Sequence, residues 1–445
     1  SSDLQAARLS ATLTDLKDGR LILSKETVFG DGIHLTTVTF KDVQANTFTI
    51  DDKAFASIGL KSVGFGNMST PSNVNATFTI DKSAFEGGSY DDKSVVFGDI
   101  TETGTGVMTF TVEESAFTAP KLQTVTFGNI TAGDFDIATR AFQSENLKTV
   151  TIEDIKASSN VASSASFDIA KNAFQGGTVS EKTVTIGKIE DSSKKLTANI
   201  EASAFAGDKL TSVSIGDITA KKVDIQEGAF QGEGLKTVKL DGIQASGNDD
   251  SKVEIADNAF QGGNIADKTV TIGYIKDSSS KKLTLNVGDY AFAGDMLKTV
   301  SIGDIAATSV TIGDETKVPI VGSSFAGMNL QKVKLNNIAA STVADAKVKF
   351  ANNTFKGGKI APKTVEIGTI KDSSTKTLDL TIGEEAFAAE YLTSVSIKDI
   401  AATKVDIKKK AFQSPRLETV TLNNIGAGIG STPNFTAGEE SFQGG

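Results

Sequence analysis

A chain of 445 residues with 45 Lys+Arg against 55 Asp+Glu carries a net charge of −10, which excludes the basic footprint of a nucleic-acid binder. It has no Cys, which excludes disulfides and thiolate metal sites. It also has no apolar run of about 18 residues, so no helical membrane span is expected. No leader is visible at Ser1, as expected of a mature form whose targeting segment has been removed. The chain has 26 Phe but no Trp and only 4 Tyr, as though one apolar slot were reused many times.

At the start, Ala11, Leu13 and Leu16 have the spacing of a half-buried strand, while Leu9, Leu13 and Leu16 suit a short polar-faced helix. Residues 1–28 therefore read as a first coil or a cap. Leu21 and Leu23 stand where the second strand of such a coil belongs. From Phe29 onward one unit recurs to the end, so the chain reads as a single repeat solenoid over 1–445.

The repeat is marked by a small residue followed by Phe. The expected ladder is Phe55, Phe85, Phe117, Phe142, Phe174, Phe205, Phe230, Phe260, Phe292, Phe325, Phe355, Phe387, Phe412 and Phe442. Three coil types alternate. In one, the Phe precedes Gly-Gly, at Phe85, Phe174, Phe260, Phe355 and Phe442, separated by 89, 86, 95 and 87 residues. A second type reads AFAGDKL at Phe205 and AFAGDML at Phe292, and a third reads AFQSENL at Phe142 and AFQSPRL at Phe412. Residues 29–445 thus hold about five three-coil modules, the longest enlarged by an insertion, TIGDETKVP, ahead of Phe325.

Within a coil, L-x-x-V-x-I-G-D/N-I reads as a first strand, as in Leu210, Val213, Ile215 and Ile218. A V-x-I or F-x-I pair just before the Phe reads as a second, as in Phe135 with Ile137, or Val223 with Ile225. Polar arcs such as DSSKKL read as turns. The Gly after the first strand is expected to supply a positive φ or a close backbone approach. A single coil cannot bury its apolar face, whereas stacked coils can, so the expected fold is mainly β: a leucine-rich-repeat-like β-solenoid with a three-coil super-repeat and uncapped ends.

Leu210, Val213, Ile215, Ala229, Phe230 and Leu235, with their equivalents in nearly every coil, resemble the BspA-type leucine-rich repeat over essentially the whole chain. The chain departs from that pattern in its longer coils, in Gly where Pro follows the first strand, and in lacking the AF-x-x-C variant. The resemblance implies a secreted or cell-surface protein with an adhesive role and no catalytic residues.

Nothing in the sequence points to an enzyme. His34 is the single histidine and reads as structural or exposed, so no Ser/His/Asp or Cys/His arrangement can form around a second one. Asp99, Asp217, Asp304 and Asp399 recur in the first-strand turn. They read as backbone caps in preference to a Ca²⁺ ladder, because Asn129, Asn337 and Asn424 replace them elsewhere. Thr pairs such as Thr124/Thr126 and Thr149/Thr151 could order water as on an ice-binding face, but Lys239, Lys334 and Glu366 interrupt the row. No cofactor or metal is expected. The expected partner is a second copy meeting head to tail, with Ala11, Leu13 and Leu16 at one end and Phe442, Gly444 and Gly445 at the other. The alternative is a monomeric adhesin for a host or matrix ligand, and ice binding ranks below both.

Overall fold

A computed structural model places the chain in two compact units, Ser1–Gly216 and Asp217–Gly445. The structure describes residues 19–24, 36–56, 59–71, 73–87, 92–175, 181–246, 249–262, 267–278, 281–313, 323–358, 362–426, 428–429 and 434–443. Ala11, Leu13, Leu16, Phe29, His34, most of the insertion ahead of Phe325, Gly444 and Gly445 lie outside them. Among the described residues every regular element is a strand.

Each unit is built from two parallel sheets. In the first unit Arg20–Leu23 leads one sheet and pairs in register with Thr47–Ile50, so that Leu21 meets Phe48 and Leu23 meets Ile50. Ala76–Ile80, Met108–Val112, Asp134–Ile137, Ala165–Ile169 and Leu196–Ile200 follow in order. The other sheet runs through Thr37–Phe40, Ser62–Phe65, Lys93–Phe97, Leu122–Phe127, Thr149–Ile152 and Lys182–Ile186 to the strand that begins at Leu210. The second unit repeats the plan, one sheet running from Lys222–Ile225 to Asn434–Ala437 and the other from Thr237–Ala245 to Thr419–Gly426. Alternation explains the faces: Val150 and Ile152 are buried while Thr149 and Thr151 point outward.

The Phe ladder holds within each unit. From Phe55 to Phe85, Phe117, Phe142, Phe174 and Phe205, successive ring centroids lie 5.1, 5.0, 5.0, 4.9 and 4.9 Å apart. From Phe230 through Phe260, Phe292, Phe325, Phe355, Phe387 and Phe412 to Phe442 the spacing stays between 4.6 and 5.1 Å. Rings Phe55 to Phe412 are at most 1% exposed, and burying each contributes about 1.5–3 kcal/mol. Within each unit the backbone steps with the rings, because the N–H of a Phe donates to the carbonyl of the small residue before the next, as Phe85 does to Ala116 at 3.1 Å and Phe117 to Ala141 at 2.9 Å.

This turn has a fixed conformation. The residue two before the Phe has a φ between +52° and +63° in all but one of the described turns, from Lys53 and Ser83 to Lys410 and Glu440. Only Gly228 fills that position with the residue suited to it. The Gly after the first strand has the other of its two expected roles. Its φ is ordinary, but a Cβ on Gly128 would lie 2.6 Å from Asp99 Oδ1 and 2.8 Å from the Gly98 carbonyl carbon. Close approach of consecutive coils is what requires glycine there.

Candidate functional site

The chemistry of the coils lies in three places: the Asx turn after the first strand, the polar arcs, and the slot beneath the Gly-Gly turn. In the first unit each Asx side chain accepts from the backbone N–H at the same position of the following coil. Asp42 accepts from Asn67 at 2.8 Å, Asn67 from Asp99 at 3.0 Å, Asp99 from Asn129 at 2.8 Å, Asn129 from Asp154 at 3.3 Å and Asp154 from Lys188 at 2.8 Å. In the second unit Asp304 accepts from Asn337 at 3.1 Å and Asn337 from Thr369 at 3.0 Å, while Asn424 Nδ2 donates to Asp399 at 2.6 Å. These carboxylates cap the backbone. Among the described residues no three His, Cys, Asp or Glu side chains converge as a metal site.

Where the second-unit ladder lacks an Asx it is bridged by Tyr274. Its hydroxyl hydrogen-bonds Asp217 two coils back, and burial first, then that carboxylate, pushes it up to about 12. The intervening coil has Gly242, where a Cβ would lie 2.3 Å from the Tyr274 ring.

The arcs form arches. The coil that follows each Gly-Gly turn has a long arc, the next coil a short one, and the third a long one. An acid of the first reaches over the second to the third. Glu102 accepts from Met108 N at 2.9 Å, from Asn160 Nδ2 at 3.1 Å and from the Ser158 hydroxyl, passing over Gly133. A Cβ on Gly133 would lie 2.3 Å from Val107 Cγ1 and 2.9 Å from Val161 Cγ1, so any side chain there would have to displace those valines. Asp372 accepts from Leu378 N at 2.7 Å, from Thr403 N at 3.2 Å on the short arc, and from Ile429 N at 2.9 Å beyond it. Asp277 likewise bonds Ser341, and burial raises its carboxyl above the usual range.

Sequence reasoning missed the slot beneath the Gly-Gly turn. Lys93, Lys182, Lys268 and Lys363 are each at most 1% exposed. They stand beside Leu122, Leu210, Leu297 and Leu392, in the position that other coils give to Leu. Lys182 Nζ donates to the carbonyls of Phe142 at 2.8 Å and Phe174 at 3.2 Å. Lys268 does the same to Phe230 at 2.6 Å and Phe260 at 3.0 Å, and Lys363 to Phe325 at 2.8 Å and Phe355 at 2.7 Å. Lys93 has three acceptors: Phe85 at 2.7 Å, Gly87 at 3.1 Å and Phe55 at 3.4 Å. Burial alone pushes Lys93 down to about 8 and the other three to about 7. The signal was present: a Lys eight residues after Phe85, Phe174, Phe260 and Phe355, where other coils have Leu five after.

The outer faces are open. On the first unit the strand that opens each coil shows Thr37/Thr39, Ser62/Gly64, Ser94/Val96, Thr124/Thr126, Thr149/Thr151, Thr183/Thr185 and Ser212/Ser214, with no charge among them. On the second unit Lys239, Lys332, Lys334 and Glu366 break the row. The coil from Thr419 to Phe442 presents Ile425, Ile429, Phe435 and Phe442 at 41%, 45%, 40% and 47% exposure.

In-register parallel coils, a stacked Phe column and capped Asx turns define a repeat protein of the leucine-rich solenoid class. The model of the BspA type leucine rich repeat region matches six copies over residues 79–234, 168–337 and 380–433, and the chain belongs to that family. Such proteins are generally surface-associated repeat proteins. No curated protein and no solved structure gives a significant match.

Proposed function

We propose that this chain is an extracellular, non-catalytic structural subunit whose coils stack on those of a second copy, head to tail, into a filament. The observation that carries the reading is how one coil meets the next inside each unit: rings stack 4.6–5.1 Å apart, strands pair in register, and Asx oxygens meet amides of the following coil. The same pattern recurs in coil after coil, so a coil of a second copy can take the place of a coil of the same chain, and a heterologous contact of this kind continues as an open fibre. Negative-stain images of the native protein are expected to show filaments, and Phe435→Lys with Phe442→Lys to leave single particles. Native material that stays monodisperse at high concentration overturns the reading.

A second reading, an adhesin for a host or matrix ligand, is favoured by the seven-coil uncharged hydroxyl face of the first unit. Saturable binding to one member of a panel of matrix proteins and glycans, lost on Thr124→Lys with Thr151→Lys, supports it. A uniformly negative panel removes it.

A further inference from the structure

Two clefts lie on the second unit, where strands of the sheet from Lys222–Ile225 to Asn434–Ala437 pass into the Phe turn. One, of about 470 Å³, is lined by Asp224, Glu254, Asp257, Asn286 and Thr311, with Gly288. The other, of about 340 Å³, is lined by Lys349, Asn352, Thr381, Glu384, Lys408 and Lys409, with Gly383. The two glycines hold the same place in their coils, one residue past the strand. There the backbone runs so close to the preceding coil that a Cβ on Gly288 would lie 2.3 Å from Asp257 Oδ1, and one on Gly383 2.6 Å from the Ala351 carbonyl carbon. Neither cleft has a side chain at that point of its lining. Coils of the first unit carry Asp81 and Glu113 at the same place.

Volumes of this size suit a small ligand, and the lining decides its chemistry. Ile255 and Val287, which border the first cleft, are at most 2% exposed, so a ligand meets polar groups. Most of the charges are already paired. Asp224 pairs with Lys222 at 3.0 Å and Glu254 with Lys252 at 2.5 Å. Lys408 pairs with Asp406 at 2.8 Å and Lys409 with Glu439 at 3.2 Å. Asp257 and Asn352 accept from the amides of Asp289 at 2.9 Å and Glu384 at 2.7 Å. An ion entering either cleft must compete with those pairs. A hydroxyl need not: it donates and accepts at once, while a paired carboxylate keeps spare lone pairs and a paired ammonium spare N–H groups. Asn286, Thr311 and Thr381 offer both functions without charge. Side chains already fixed by ion pairs lose little further freedom on binding.

The lining repeats with the coil. Asp224, Glu254, Asn286 and Thr311 are successive register partners across four strands, and the turn rings of these coils step by 4.9–5.1 Å. A pyranose ring in an extended chain advances by a similar length, so consecutive sugar rings meet equivalent groups on consecutive coils. We propose that the two clefts are subsites for a linear, uncharged oligosaccharide that lies along the stack and is recognised through its hydroxyls. The site does not depend on the filament and uses none of the hydroxyl face of the first unit.

The test probes the full chain with an array of short linear neutral oligosaccharides (glucan, mannan, xylan and chitin fragments), with spermine and a sulfated glycan as charged controls, and measures any hit by calorimetry. Saturable binding of a neutral chain is expected, and it should persist in about 1 M salt because no charge on the ligand is involved. Asn286→Ala with Thr311→Ala should weaken it about tenfold, as loss of a hydrogen bond or two requires. Thr381→Ala with Glu384→Ala should do the same for the second cleft, and Thr124→Lys with Thr151→Lys should leave binding unchanged. An array negative for every neutral chain overturns the proposal. So does binding that both cleft variants leave intact, or binding confined to the charged controls and lost in salt. Should a cleft variant fail to fold, the side-chain amide resonance of Asn286 in the unaltered chain decides: it shifts on binding if the proposal holds and stays still if it does not.

Discussion

The two units fill the same coil with different side chains. The first has three columns of Phe for much of its length: the turn column, a column on one sheet through Phe40, Phe65, Phe97 and Phe127 at 4.6–4.9 Å, and one on the other through Phe48, Phe78, Phe110, Phe135 and Phe167 at 4.6–5.2 Å. The columns meet edge to face, as Phe55 does Phe65 at 5.8 Å and Phe117 does Phe127 at 5.9 Å. In the second unit the sheet columns are mostly Val, Leu and Ile, such as Val253, Leu285, Ile272 and Ile302, with Phe350 and Phe435 the rings among the described residues. Only the turn column is Phe in both. The difference separates what the architecture requires from what it tolerates. A slot bounded by a buried Ala and a left-handed turn admits one shape, whereas a slot between strands admits any apolar volume of about the right size.

The largest effect that could break this distinction is loss of a turn ring. Phe174→Ala and Phe355→Ala should each cost about 3–5 kcal/mol, and equally in the two units, by chemical denaturation. A much smaller loss in the first unit would mean that its extra rings close the gap. Next comes removal of an arch. Asp372→Ala orphans three amides in the second unit and Glu102→Ala the corresponding donors in the first, each costing about 2–3 kcal/mol. Hydrogen exchange should show the loss confined to the long arcs. Exchanging sheet fillings should matter less. Phe97→Ile in the first unit and Ile272→Phe in the second should each change stability by about 1–2 kcal/mol, and a cost as large as the turn ring's would erase the distinction. The smallest effect has the opposite sign. Arg140→Gly and Glu385→Gly should each stabilise by about 1 kcal/mol, because an L side chain is strained at that φ and Gly is not. The thermal shift should match in both units.

The chain's regularity made much of this legible. Phe at uneven but rule-bound intervals gave the coil and its three types, because a stacked ring needs its equivalent in every turn. Asp99 and Asn129 alternating at one position pointed to a cap, since both supply an oxygen to an amide, while the neutral Asn halves the negative charge that a cation ladder draws on. The Gly after the first strand was ambiguous on paper because a positive φ and a crowded Cβ select the same residue. The lysines were missed for a different reason, although their spacing recurs. In a strand of alternating Thr and Val, a Lys at the edge reads as solvated, and nothing local says that it aims at two carbonyls 8 and about 40 positions back in the chain. Glu102 and Asp372 were hidden likewise, since an arc of Ser, Lys and Asp has the composition of a turn whether or not its acid is buried.

The arches also govern how such a gene can change length. Their span is three coils, so excising one coil strands an acid opposite the wrong arc, while excising an entire cassette joins like to like. The cassettes here measure 89, 86 and 95 residues from one Gly-Gly Phe to the next between Phe85 and Phe355. Recombination between cassettes can therefore lengthen or shorten the polypeptide without disturbing any seam, and size variants of this locus should differ by whole cassettes.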